Sequence, residues 1–120
     1  MPGTPDHPIT IEPAPSRVRV TFAGHVIADS KRALILKEAS YPAVAYVPRE
    51  DADFSVLKRT DHKTHCPYKG DASYYSIDAG GRSSTNAIWS YEHPFEDVAV
   101  IAGHLAFYPD RVDSIQELTA

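Results

Sequence analysis

The stretch from Ser73 to Tyr91, SYYSIDAGGRSSTNAIWSY, constrains this chain more than any other. At its centre Asp78-Ala79-Gly80-Gly81 has the chemistry of a tight turn, because glycine enters positive φ without steric cost. On either side, Tyr74 to Ile77 and Ala87 to Tyr91 are rich in aromatic and β-branched residues suited to cross-strand pairing. The segment therefore predicts an antiparallel hairpin.

Other segments follow the same period. RVRVTF, residues 17–22, alternates Val18, Val20 and Phe22 against Arg17, Arg19 and Thr21, the pattern of a half-buried strand. A turn at Gly24-His25 predicts a first hairpin over residues 17–29. RALILKEA is short, bounded by Ser30 and Tyr41-Pro42, and reads as a strand. AVAYVPRED predicts a strand that stops at Pro48, which has no N–H for a ladder. DFSVLKRTDHK reads as a polar link, and THCPYKG as a turn entering the central hairpin. Pro94, Glu96, Asp97 and Gly103 have the order of helix start and stop signals, so one short helix is expected near residues 95–102. LAFYPDRVDSI predicts a last strand broken at Pro109.

Five of the ten prolines fall in residues 1–15. With their N–H donors missing, residues 1–16 are expected to form an extended arm that is poor in ladder or helix. Residues 17–120 then make one domain, since 120 residues suffice for a single core. The expected class is mainly β, a compact single-domain antiparallel structure closed as a barrel or two-sheet sandwich.

A net charge of −4 lacks the basic footprint of a nucleic-acid binder, so no nucleic acid is expected as partner. The start of the chain has no signal-peptide pattern, and no run approaches about 20 apolar residues, so neither export nor a membrane is expected. One cysteine, Cys66, excludes an internal disulfide and paired-cysteine zinc sites, and fits a reducing cytoplasm.

The phrases YPAVAYVPRED, THCPYKGDASYYS, NAIWSYEHP and GHLAFYPDRVD, in this order, resemble the bacterial family called domain of unknown function 427, across residues 17–115. That resemblance implies a fold of the Mss4-like, or β-tent, group, whose other members include methionine sulfoxide reductases and zinc-binding domains. The family has also been grouped under a nucleotidyltransferase-like label, for which this chain shows none of the supporting chemistry. Relatives in the fold group carry zinc on paired cysteines that are absent here; no metal and no cofactor are expected.

Candidate chemistry concentrates at strand ends. Cys66 is a nucleophile if a nearby cation favours its thiolate, with His65 and Lys69 near it in sequence; it is equally a packed thiol. Glu50 and Asp51 follow a strand end and either has the chemistry of a general base, Asp51 being taken, beside Arg49, whose planar fork suits carboxylate or phosphate. Cys66, His65 and Asp51 form the catalytic set. Asp61, His62 and His65 lie close enough in sequence to suggest metal ligation, but adjacent His65 and Cys66 are awkward ligands for one ion. Arg49, Tyr68, Lys69, Trp89 and Tyr108 form the ligand-binding set, because tyrosine and tryptophan present an apolar body with a polar tip.

Three function classes follow. A pocket that binds or processes a small anionic metabolite or nucleotide is preferred. A non-catalytic peptide- or protein-binding module and a thiol redox sensor are the alternatives.

Overall fold

The two predicted hairpins are present, and their tips touch. In the computed structural model, which describes residues 3, 4 and 7 to 118, strands β3 (Arg17–Phe22) and β4 (His25–Ser30) are joined by the two-residue loop Ala23-Gly24. Both loop residues have positive φ, 52° and 79°, as a turn matching strand twist requires. The turn thus lies one residue before the expected Gly24-His25. Strands β8 (Gly70–Ala79) and β9 (Arg82–Ser90) are joined in the same way by Gly80-Gly81. A Cβ on Gly80 would lie 2.7 Å from the Ala23 carbonyl oxygen, so only glycine lets the tips meet.

The remaining strands are β1 (Gly3–Thr4), β2 (His7–Pro13), β5 (Leu34–Glu38), β6 (Val44–Tyr46), β7 (Leu57–Cys66), β10 (Ala106–Phe107) and β11 (Ser114–Leu118). They form three antiparallel sheets, ordered β1-β2-β5-β6, β10-β9-β8-β7 and β11-β3-β4. The radius of gyration is 13.9 Å, against roughly 13.6 Å for a single compact domain of this length. The class is mainly β, as expected.

Three local expectations are corrected. The proline-rich arm does enter a ladder: β2 pairs with β5 from Ile9 opposite Glu38 to Pro13 opposite Leu34. Its prolines at 8 and 13 fall near the ends of the strand, where a missing donor is tolerated. Residues 1, 2, 5 and 6 of the arm, and 119 and 120 of the domain, lie outside the described residues. The polar link is mostly β7, ten residues long and largely exposed, at the edge of its sheet. Its polarity marks a solvated edge and not a loop. The helix near residues 95–102 is a 3-10 segment, Glu96–Ile101, interrupted at Val98. A six-residue run gains little from helix propagation after the costly nucleus, and β-branched Val98, Val100 and Ile101 disfavour an α-helix further.

The central sheet buries both faces. Tyr75 and Ile77 of β8 and Ile88 of β9 join Val18, Val20, Phe22 and Leu105 in one core. On the other face, Ala72 and Tyr74 pack with Ile9, Leu36, Tyr46, Tyr91 and Val98. Adjacent Tyr74 and Tyr75 therefore serve different cores, as alternation along a strand demands. A bulge at Asn86, φ 51°, shifts the β8–β9 register after Tyr75 and is held by Ser76 and Thr60 side chains. Each fully buried isoleucine contributes about 1.5–3 kcal/mol.

Candidate functional site

The second core opens into a cavity. The loop Pro67-Tyr68-Lys69 joins β7 to β8, with Cys66 opposite Gly70. The Lys69 N–H donates to the Cys66 carbonyl at 3.2 Å, and its carbonyl accepts from Phe95 N–H at 3.0 Å. Gly70, φ 113°, then lets the chain pass beneath His93 and Pro94. With its backbone fixed on both sides, Lys69 projects into the interior, where it is 6% exposed.

Its partner is Glu38, the last residue of β5. The Lys69 ammonium donates to Glu38 Oε1, and His7 Nε2 donates to Oε2 at 2.6 Å. The His7 ring also stacks on Tyr68 at 3.9 Å, nearly parallel. Thus the arm, through His7 of β2, supports Glu38 and Tyr68 from behind. Burial pushes the Glu38 carboxyl up, but the bonds from Lys69 and His7 outweigh it and hold the group below its ordinary value.

Aromatic residues complete the enclosure. A cavity of about 220 Å³ is lined by Lys69, Glu38, Tyr46, Tyr74, Trp89, Tyr91 and Tyr108, with Leu36, Val44, Tyr41 and Pro42. The indole N–H of Trp89 donates to the Tyr46 hydroxyl at 3.2 Å, and the two rings meet edge to face. Tyr74, Thr64 and Tyr108 form a hydroxyl chain with links of 2.8 and 3.3 Å. Burial raises the Tyr46 and Tyr91 phenols far above their ordinary value. Burial, then the bond with Tyr74, pushes Tyr108 up to about 12. These phenols therefore remain protonated donors at neutral pH.

Of the residues singled out from the sequence, Lys69, Trp89 and Tyr108 meet in this cavity, and Tyr68 lies behind it against His7. Cys66 is half-buried and packs beside the same aromatic core, without lining the cavity. His65 is exposed and pairs with Asp71 at 2.7 Å. Asp51 accepts from Ser30 Oγ at 2.6 Å and from Arg32, at a separate shallow depression. The structure does not bring Cys66, His65 and Asp51 together around one cavity. Arg49 donates to the Tyr75 hydroxyl at 3.0 Å and to the Gly103 carbonyl at 3.3 Å, so it belongs to the opposite face of β8. Asp61 is exposed, and His62 packs edge-on against Tyr74. Among the described residues no group of three His, Cys, Asp or Glu side chains converges as a metal site, and no helix is long and apolar enough to cross a membrane.

Sequence reasoning missed Glu38, His7 and Tyr46; Tyr91 was marked by its period-two spacing from Trp89 but stood outside the ligand-binding set. Glu38 and His7 carried no such signal, since each meets Lys69 or Tyr68 only across sheets.

No curated protein matches the chain. The profile of the family described as domain of unknown function (DUF427) matches residues 10–118, which takes in most of the site from Thr10 of β2 to the final strand. This chain is therefore a member of the DUF427 family.

Proposed function

We propose that the chain binds a small organic anion in the tyrosine-lined cavity, with Lys69 as its cationic anchor. The observation that carries this reading is a set of hydrogen-bond donors left without a partner around one buried ammonium. Both oxygens of Glu38, the one carboxylate in the lining, already hold Lys69 and His7. Tyr46 accepts from Trp89, so its own O–H is left to donate. The chain of Thr64, Tyr74 and Tyr108 has three protons for two links, leaving one. Lys69 uses one of three N–H donors on Glu38. A ligand rich in acceptors, such as a carboxylate, satisfies these groups without stranding a buried proton.

The volume favours a head group over a whole nucleotide, since ligand pockets usually run from about 300 to 1,000 Å³. Binding, rather than thiol chemistry, is favoured because Cys66 stays outside the lining.

Trp89 is the only tryptophan in the chain and lines the cavity, so its fluorescence reports occupancy directly. Titration with butanoate and with butylammonium, at matched ionic strength, tests the reading. Saturable change with butanoate alone, weakened about tenfold by Tyr91→Phe, is expected. Tighter binding of butylammonium would overturn the assignment of charge.

A further inference from the structure

A second, larger hollow of about 730 Å³ lies beside the tyrosine cavity. It runs between the sheet containing β11 and β3 and the sheet containing β5 and β6, and its floor includes Val18, Val20 and Val47, which are fully buried. The two hollows share Tyr41, Pro42, Val44 and Trp89 as a common wall. The Trp89 indole therefore stands at the partition, its N–H turned to Tyr46 on the cavity side.

We infer that the ligand of the tyrosine cavity is an amphipathic acid, whose apolar body lies in this neighbouring groove past Trp89. The inference rests on the binding reading above and narrows it to a chemical class. None of the groove's lining residues is Lys, Arg or His. Its charged members are Asp113, already paired with Arg82, and Glu117. An anionic head is thus disfavoured in the groove and directed to Lys69, which leaves the apolar walls to the rest of the molecule. The sizes agree: the cavity suits a head group, and the groove falls within the usual range for a small-molecule site. The shared edge at Tyr41, Pro42, Val44 and Trp89 sets the two hollows side by side, which favours one molecule reaching from one into the other, and the unbranched alkyl carboxylates are its simplest representatives.

The test is a fluorescence titration of the full chain with butanoate, hexanoate, octanoate and decanoate, and with octan-1-ol. Each added methylene buried in the groove is expected to tighten binding about threefold to fourfold. Ile115 lines the groove and is 37% exposed, so Ile115→Asp is tolerated by the fold and places a charge against the tail. It should weaken decanoate by at least tenfold and leave butanoate unchanged; Ala43→Phe, at the exposed mouth, should do the same by obstruction. Butanoate binding with no gain from chain length overturns this inference while the cavity reading stands. Octan-1-ol binding as tightly as octanoate overturns the anionic head, and with it the cavity reading. Absence of saturable binding at every length overturns both.

Discussion

Glu38 at the end of β5 and Lys69 in the β7–β8 loop form an ion pair between two sheets, with side chains only 16% and 7% exposed. Neither sheet presents this pair alone; it exists because the arm and β5 close over the central sheet.

Removing one partner leaves the other charge buried. Lys69→Met is expected to destabilise the fold by about 3 kcal/mol, whereas Lys69→Met with Glu38→Gln should cost clearly less. Urea unfolding of the two single variants and the double completes the cycle, and strict additivity would show that the groups do not interact. The pH dependence has a definite sign. Because the Glu38 carboxyl sits below its ordinary 4.5 in the folded state, its contribution is present above that value and lost as pH falls through the lowered one. Glu38→Gln should flatten the acid limb of the stability profile.

The tyrosine cavity predicts the alkaline limb. Tyr46, Tyr91 and Tyr108 hold their protons above the ordinary phenol value of 10.0, Tyr108 to about 12. Between pH about 10 and 12 the folded chain therefore binds protons that the unfolded chain has released, and stability falls as pH rises. Phenolate absorbance should show a late class within the seven tyrosines, coinciding with unfolding. A single titration near pH 10 in a protein that stays native would contradict the buried cavity.

Contact between the hairpin tips separates two adjacent glycines. Gly80 and Gly81 both have positive φ, 59° and 76°, but a Cβ meets the Ala23 backbone only at Gly80. Gly81→Ala should cost about 1 kcal/mol from backbone strain. Gly80→Ala adds a clash between turns and should cost about 3 kcal/mol in all. Thermal or urea unfolding distinguishes them, and equal losses would mean that the tips do not press on each other.

Much of the fold was readable because its signals are local. A Gly-Gly turn selects its loop geometry within four residues, and alternation in Arg17–Phe22 separates a core face from an outer one without reference to any partner. The same period divides Tyr74 from Tyr75. Edge strand β7 was misread because a solvated strand lacks that alternation, and proline-rich β2 because its ladder depends on a partner supplied by β5.

The candidate site was half legible for the same reason. Lys69, Trp89 and Tyr108 stood out as unusual residue types at strand ends, and the cavity does contain them. Arg49 and Asp51 stood out equally, yet bond elsewhere. The sequence by itself determined the alternating strands, the glycine turns and the supply of aromatic and charged groups, since each follows from a chain's short-range sterics and hydrophobic period. Only the tertiary structure decided that His7 and Glu38 would meet Tyr68 and Lys69. Glu38 lies 31 residues from His7, on the neighbouring strand of its own sheet, and 31 from Lys69, across sheets, and no local preference specifies either contact.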